Sequence, residues 1–225
     1  KFFNSEGLKL KEDEEERIEN YFLKKDEGLR TDWKNIGKIK VIEDGSDRYL
    51  DSIRENFRGE LPDLSDYKIS VDCAHGATYK VAPRIFSELG AEVTRLGVSP
   101  SGFNINRDCG STSLEGLKVE VLRQGSDLGV AFDGDGDRVL FVDEEGSEID
   151  GDRILYIAAK WLSRSGKLEP PMVVSTVMSN LGLERSLSEL GIKLVRTQVG
   201  DKYVARGMLE KGAVIGGEQS GHIIF

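Results

Sequence analysis

The stretch AFDGDGDRVLFVD, residues 131–143, sets Asp133, Asp135 and Asp137 on alternate positions and follows them at once with Arg138. Carboxylates at that density repel one another, so the pattern asks for positive charge nearby. Gly134 and Gly136 let the backbone turn tightly enough for alternate carboxylates to converge on one point. A hard divalent cation fits that point; Mg²⁺ takes oxygen ligands and keeps positions for water or phosphate. Arg138 is a fixed cation able to grip a phosphate through two hydrogen bonds beside the metal. Cation and guanidinium together describe a site for a phosphoryl group in transfer.

Other readings of the same loop compete with this one. A calcium-binding EF-hand also spaces acids in this way, and Glu144 falls at its twelfth position. Arg138, however, stands where that loop requires glycine, and the flanks read as strands rather than helices. A dinucleotide fingerprint fails because Val139 replaces its third glycine. An acidic turn joining two strands is the plainest reading for an isolated cluster. Three regularly spaced aspartates plus arginine at a strand end favour the metal.

Most of the chain alternates in type around this loop. YKISVDCA reads as a strand, ATYKVAPRIFSEL as a helix, AEVTRLGV as a strand, SLEGLKVEVLRQ as a helix and DLGVAFD as a strand. RVLFVDEEGSEID then reads as a strand and an acidic turn, and GDRILYIAAKWLSRSG as an amphipathic helix with a glycine stop. PMVVSTV, IKLVRTQV and GAVIGG continue as strands, with GLERSLSEL and DKYVARGMLEK as the helices between them. EDEEERIENYFLKK and DRYLDSIRENF are helical patterns that precede all of this. The expected fold class is α/β: successive βαβ-type domains with mixed sheets, dividing near Ser147 and conceivable as distant copies of one design. Asp133 then sits at the C-terminal end of a strand, where open α/β sheets bind ligands.

Composition narrows the partners. A formal net charge of −9 does not suit nucleic acid, which calls for a basic face. No apolar run approaches the roughly 18 residues of a membrane span. The two cysteines, Cys73 and Cys109, form no CxxC pair, so a disulfide framework or structural zinc is not expected and a reducing cytoplasm is the default. Trp33 and Trp161 read as packing residues. The chain opens on KFFNSEGLKL without an initiator Met or signal pattern and closes on apolar IIF, so we expect an internal piece of a longer protein.

DGDGDR followed at a distance by GEQSGH resembles the α-D-phosphohexomutase superfamily, and in detail its bacterial phosphoglucosamine mutases. VDCAHGATYKVAP (71–83), GFNINRDCGST (102–112), DGDRILYIAA (150–159), VMSNLGLE (177–184), VGDKYV (199–204) and GGEQSGHIIF (216–225) continue the likeness in order. The resemblance implies an incomplete phosphohexomutase-like fold. Residues 1–42 would close a first, phosphoserine-bearing domain, 43–147 would form a metal-binding second domain, and 148–225 a truncated sugar-binding third. The implied reaction interconverts glucosamine 6-phosphate and glucosamine 1-phosphate through a phosphoserine and a sugar bisphosphate. The partner is then a small hexosamine phosphate, and a homodimer stays open.

Residue by residue, the resemblance implies that Asp133, Asp135 and Asp137 hold Mg²⁺ and that Arg138 contacts the reacting phosphate or sugar. Glu218 and Ser220 match a loop that binds sugar hydroxyls, and His222 matches a histidine near the substrate. Asp201 and Lys202 match another cleft loop, with lysine where the mutases often carry arginine. Lys1 matches a lysine implicated in proton transfer, and His75 stands where asparagine is usual, far in sequence from the metal loop. Taken singly, His222 reads as a packed polar residue, Glu218 and Ser220 as turn residues beside glycines, and the cysteines as structural. A phosphomannomutase or phosphoglucomutase, which more often carry Met in place of Gln219, and a non-catalytic metal- or sugar-phosphate-binding module remain the alternatives. No SHNP-type serine loop occurs, so the 225 residues alone are expected to bind metal weakly and leave hexose phosphates unconverted. Mutase turnover measured on them overturns that expectation.

Overall fold

The computed structural model describes residues 2, 4–7, 9–24 and 31–225. Two compact units emerge, Lys1–Glu43 and Asp44–Phe225. The first holds helix α1 (Glu12–Lys24), whose opening turn is acidic, as its macrodipole favours. Glu14 reaches back to accept a hydrogen bond from the Lys11 backbone amide, closing that first turn. Among the described residues, no helix is long and apolar enough to cross a membrane.

The second unit begins with α2 (Gly45–Asn56), which buries Leu50, and then builds two sheets. The first contains β1 (Lys68–Asp72), β2 (Glu92–Leu96), β3 (Leu128–Phe132), β4 (Val139–Asp143) and β5 (Glu148–Ile149), in the order β2-β1-β3-β4-β5. β1 runs parallel to β2 and β3, while β4 and β5 return antiparallel. Helices α3 (Val81–Glu88) and α4 (Glu115–Gln124) accompany it. Period-two alternation divides the strands between two apolar layers. Ile69, Val71 and Val130 pack with Ala82 of α3, whereas Ala131, Leu140 and Val142 pack with Leu117 and Val121 of α4.

The second sheet repeats the plan. β6 (Met172–Thr176), β7 (Lys193–Thr197), β8 (Gly216–Gly217) and β9 (Ile223–Ile224) lie in the order β7-β6-β8-β9. β6 is parallel to β7 and β8, and β9 is antiparallel to β8. In both sheets the first strand is flanked by the second and third, and the fourth returns beside the third. Val173 of β6 packs with Leu155 of α5 (Gly151–Arg164) and Leu187 of α6 (Leu181–Glu189). Its neighbour Val174 packs instead with Val204 and Met208 of α7 (Asp201–Lys211). Asp150 and Asn180 cap α5 and α6 by accepting the amides of Arg153 and Leu183, at 3.0 and 2.8 Å. The loop after β3 carries the aspartates and the loop after β8 carries Glu218–His222, so both occupy the same station in their sheets.

The α/β class and the alternation stand as read from sequence, with three local differences. RVLFVDEEGSEID is a hairpin of two strands, closed by Gly146 at φ 80°, and Glu148–Ile149 pair with β4. The helix expected from Ala77 starts only at Val81, because Gly76 and Ala77 are committed to a long-range contact described below. Trp161 and Trp33 are 57 % and 77 % exposed; on α5 the buried stripe runs through Leu155 and Ala159 and leaves Trp161 outside. Leu187 is fully buried between α6 and β6. Leu187→Ala is expected to lower unfolding free energy by roughly 2–5 kcal/mol, measured by urea denaturation.

Candidate functional site

The loop between β3 and β4 folds around its own first carboxylate. Asp133 is 2 % exposed, and its Oδ1 accepts the backbone amides of Asp137 and Arg138, both at 3.1 Å. Oδ2 accepts from Arg138 Nε at 2.9 Å. Burial pushes the Asp133 carboxyl up, but the hydrogen bonds and charge of Arg138 outweigh it and hold the group below the usual carboxylate range. Arg138 thus supplies part of the positive charge that the sequence demanded. Gly136, at φ 74°, makes the turn that returns the chain to Asp133.

Carboxylate oxygens of Asp133, Asp135 and Asp137 lie within 4.8 Å of one another. Asp133 is buried, Asp137 half-buried and Asp135 exposed, so the cluster opens to solvent on one side. Three hard oxygen donors with an open side fit a Mg²⁺ ion, the preference the sequence suggested. The loop is held from behind: the Gly134 carbonyl accepts the Ala77 amide at 2.8 Å. A Cβ on Gly76 would lie 2.2 Å from that carbonyl oxygen. His75 therefore belongs to a loop beside the aspartates, although far from them in sequence. Its Nδ1 accepts the Ser99 amide at 3.2 Å, a structural role.

The loop between β8 and β9 is a tight turn. The Glu218 amide donates to the His222 carbonyl at 2.9 Å, and Gly221, at φ 94°, donates to the Glu218 carbonyl at 3.0 Å. Backbone bonds fasten this turn on two sides, to β4 of the first sheet and to the first residue of α5. Val139, which follows Arg138, donates to the Gly221 carbonyl at 2.9 Å, and Gly151 donates to the Gln219 carbonyl at 2.9 Å. Neither glycine has room for a side chain: a Cβ on Gly221 would meet the Val139 oxygen at 2.3 Å, and one on Gly151 the Glu218 oxygen at 2.0 Å.

This seam brings the expected side chains together. His222 Nε2 lies 3.2 Å from Asp201 Oδ2, and Nδ1 lies 3.8 Å from Asp137 Oδ2, an electrostatic distance rather than a hydrogen bond. Glu218 Oε1 accepts the Gly200 amide at 2.9 Å and so anchors the loop that carries Asp201. Lys202 lies next along, its Nζ 5.4 Å from the centroid of the Tyr203 ring. Ser220 is exposed at the tip of the turn. Lys1 lies outside the described residues. Sequence reasoning missed Gly76, Ala77, Ile105 and Asn106 as walls of the aspartate loop; only the glycine beside His75 hinted at a close backbone approach. Burial pushes the Cys73 thiol up to about 11, so it is neutral at physiological pH and no nucleophile.

Because Asp133 ionises below its ordinary range in the folded chain, its stabilisation is present above about pH 4 and is lost as pH falls through the lower folded value. Asp133→Asn is expected to cost roughly 1–3 kcal/mol at pH 7 without added metal. The deficit should shrink as pH falls below about 4 in parallel urea titrations of the two proteins.

Comparison with known proteins places this geometry. Residues 47–146 match the family model for phosphoglucomutase/phosphomannomutase α/β/α domain II, and residues 150–225 match domain III. A phosphoglucosamine mutase of Acetivibrio thermocellus is 50 % identical over the whole chain, which corresponds to 50 % of that relative's length. The chain spans about half the length of the curated relatives it matches. A crystal structure of a phosphoglucomutase/phosphomannomutase family protein from Burkholderia thailandensis superposes with a TM-score of 0.78 at 26 % identity, over 97 % of this chain and 46 % of that one. An Aspergillus fumigatus N-acetylphosphoglucosamine mutase, solved with GlcNAc-6P and magnesium, shares the fold with a TM-score of 0.59 at 21 % identity, over 83 % of this chain and 39 % of that one. The chain belongs to the phosphoglucomutase/phosphomannomutase family and carries its α/β/α domains II and III.

Proposed function

We propose that this chain is the cation- and sugar-binding half of a phosphoglucosamine mutase, which interconverts glucosamine 6-phosphate and glucosamine 1-phosphate in the cytoplasm. The observation that carries the reading is the meeting of two loops: Asp137 of the aspartate cluster and His222 of the Glu218–His222 turn stand 3.8 Å apart. A phosphate on a sugar held by the second loop would thus be presented to the first. The likeness to phosphoglucosamine mutases supports the choice of a hexosamine, and the free thiols of Cys73 and Cys109 fit a reducing compartment.

Asp133, Asp135 and Asp137 would hold Mg²⁺, which when bound neutralises charge on the oxygens of the phosphoryl group in transfer. Arg138 keeps one arm on Asp133 through Nε, leaving its outer nitrogens to orient a phosphate oxygen. Glu218 accepts from sugar hydroxyls on the oxygen not given to Gly200, and Ser220 donates or accepts at the tip of the turn. Asp201 steadies the His222 ring beside the phosphate, and Lys202 adds positive charge from the same loop. The phosphoserine would come from the first domain, of which residues 1–42 form the end, and Lys1 would receive the sugar hydroxyl's proton. Residues 43–147 form the metal-binding domain and 148–225 the sugar-binding one.

A coupled assay of the longer protein that contains this chain should show conversion of glucosamine 6-phosphate well above mannose and glucose 6-phosphates. Asp135→Asn, on the exposed cluster member, should lower kcat by roughly 10²-fold or more. Preference for mannose or glucose phosphate would move the chain to another branch of the family, and no turnover at all would leave a binding module.

A further inference from the structure

Asp72 closes β1 on the face opposite Val71 and is 2 % exposed. Among the described residues it enters no ion pair; its oxygens are filled by backbone amides instead. Oδ1 accepts from Ala74 at 2.9 Å and Oδ2 from Gly110 at 2.7 Å. Gly97 presses on the same carboxylate, where a Cβ would lie 2.4 Å from Oδ1. One buried side chain thus ties together the loop after β1, the loop after β2 and the segment at Gly110, which are distant in sequence.

These loops are also the walls of the aspartate loop. From the first, Ala77 donates to the Gly134 carbonyl, and Gly76 has no room for a side chain against it. From the second, Ile105 and Asn106 pack on the other side of Gly134, within 2.7 Å of where its Cβ would stand. The Asn106 amide donates to the Ala74 carbonyl at 3.0 Å, locking the two walls together beside the Asp72 anchor. Gly110 abuts the carbonyl of Phe132, the residue before Asp133. Ala74 and His75 have φ values of 52° and 50°, a left-handed backbone that such residues adopt only when their surroundings hold them there.

We infer that Asp72 is a positioning residue for the cation site: it reaches no metal ligand, yet it anchors the Ala74 wall directly, and through the Asn106–Ala74 bond the other wall, which together clamp Gly134 between Asp133 and Asp135. The inference rests on the reading of the aspartates as cation ligands. Replacing Asp72 with asparagine turns an amide donor against a backbone N–H, which loosens one wall without changing the ligands. Supporting groups of this kind typically shift metal affinity by 10–100-fold.

The test is Mn²⁺ binding to the longer protein that contains this chain, followed by electron paramagnetic resonance, with amide hydrogen exchange on the same samples. Asp72→Asn should weaken Mn²⁺ binding by roughly tenfold or more and speed exchange at Ala77, Gly110, Asp137 and Arg138. Leu168→Ala, in the core of the second sheet, is the control for general destabilisation and should leave Mn²⁺ affinity unchanged. Ile105→Ala trims the other wall at a half-exposed position, folds irrespective of the buried carboxylate, and should weaken Mn²⁺ in the same direction to a smaller extent. Affinity within twofold of the unsubstituted protein for both Asp72→Asn and Ile105→Ala overturns the inference while the metal reading survives. Equal weakening by Leu168→Ala reduces Asp72 to a stability residue. Absence of Mn²⁺ binding to the unsubstituted longer protein overturns the metal reading and this inference with it.

Discussion

The site depends on the backbone seam at which Val139 bonds to Gly221 and Gly151 bonds to Gln219. The Val139 bond joins β4 of the first sheet to the turn after β8, and the Gly151 bond fastens that turn to α5, the helix packed on the second sheet; main-chain groups of this kind must be paired once buried. Gly221 and Gly151 permit the approach, since any side chain at either position would strike a carbonyl oxygen. Because Val139 directly follows Arg138, the seam fixes the cluster's exit against the Glu218–His222 turn. Asp137 meets His222 as a result of this main-chain pairing, and Asp201 is drawn in through Glu218 and Gly200.

Assembly of the carboxylates poses the opposite problem, because they repel. The loop answers with internal donors, two amides and the Arg138 guanidinium on Asp133, and with glycine contacts that leave the loop little room to spread. Asp133 is thereby the structural member of the cluster, while Asp135 faces solvent. A cation at the open side would meet oxygens that are already close together, which would lower the ordering cost of binding.

Much of this was legible in the chain. Alternating strand and helix patterns follow from side-chain periodicity, and the DGDGDR spacing gives both the strand end and the convergence of acids. Asp201, Lys202, Glu218, Ser220 and His222 were reachable through their likeness to a family rather than through any local pattern. The seam, the Gly134 clamp and the Asp72 anchor were not legible, because their partners are backbone amides and carbonyls that carry no side-chain signature. Ala77–Lys80 read as helix for the same reason: local propensity does not register an amide taken by Gly134. Trp161 shows the limit of residue type, since the buried stripe of α5 passes it by.

The matching strand orders of the two sheets give the aspartate loop and the Glu218–His222 turn equivalent addresses. An ancestral duplication would yield such an arrangement, with carboxylates gathered on the loop of one copy and a mixed polar turn on the other. Since the copies are stitched together by main-chain atoms, mutation can explore new residues at Gln219 and Ser220 without unfastening them. The turn can therefore change its chemistry one side chain at a time while the aspartate cluster stays where it was.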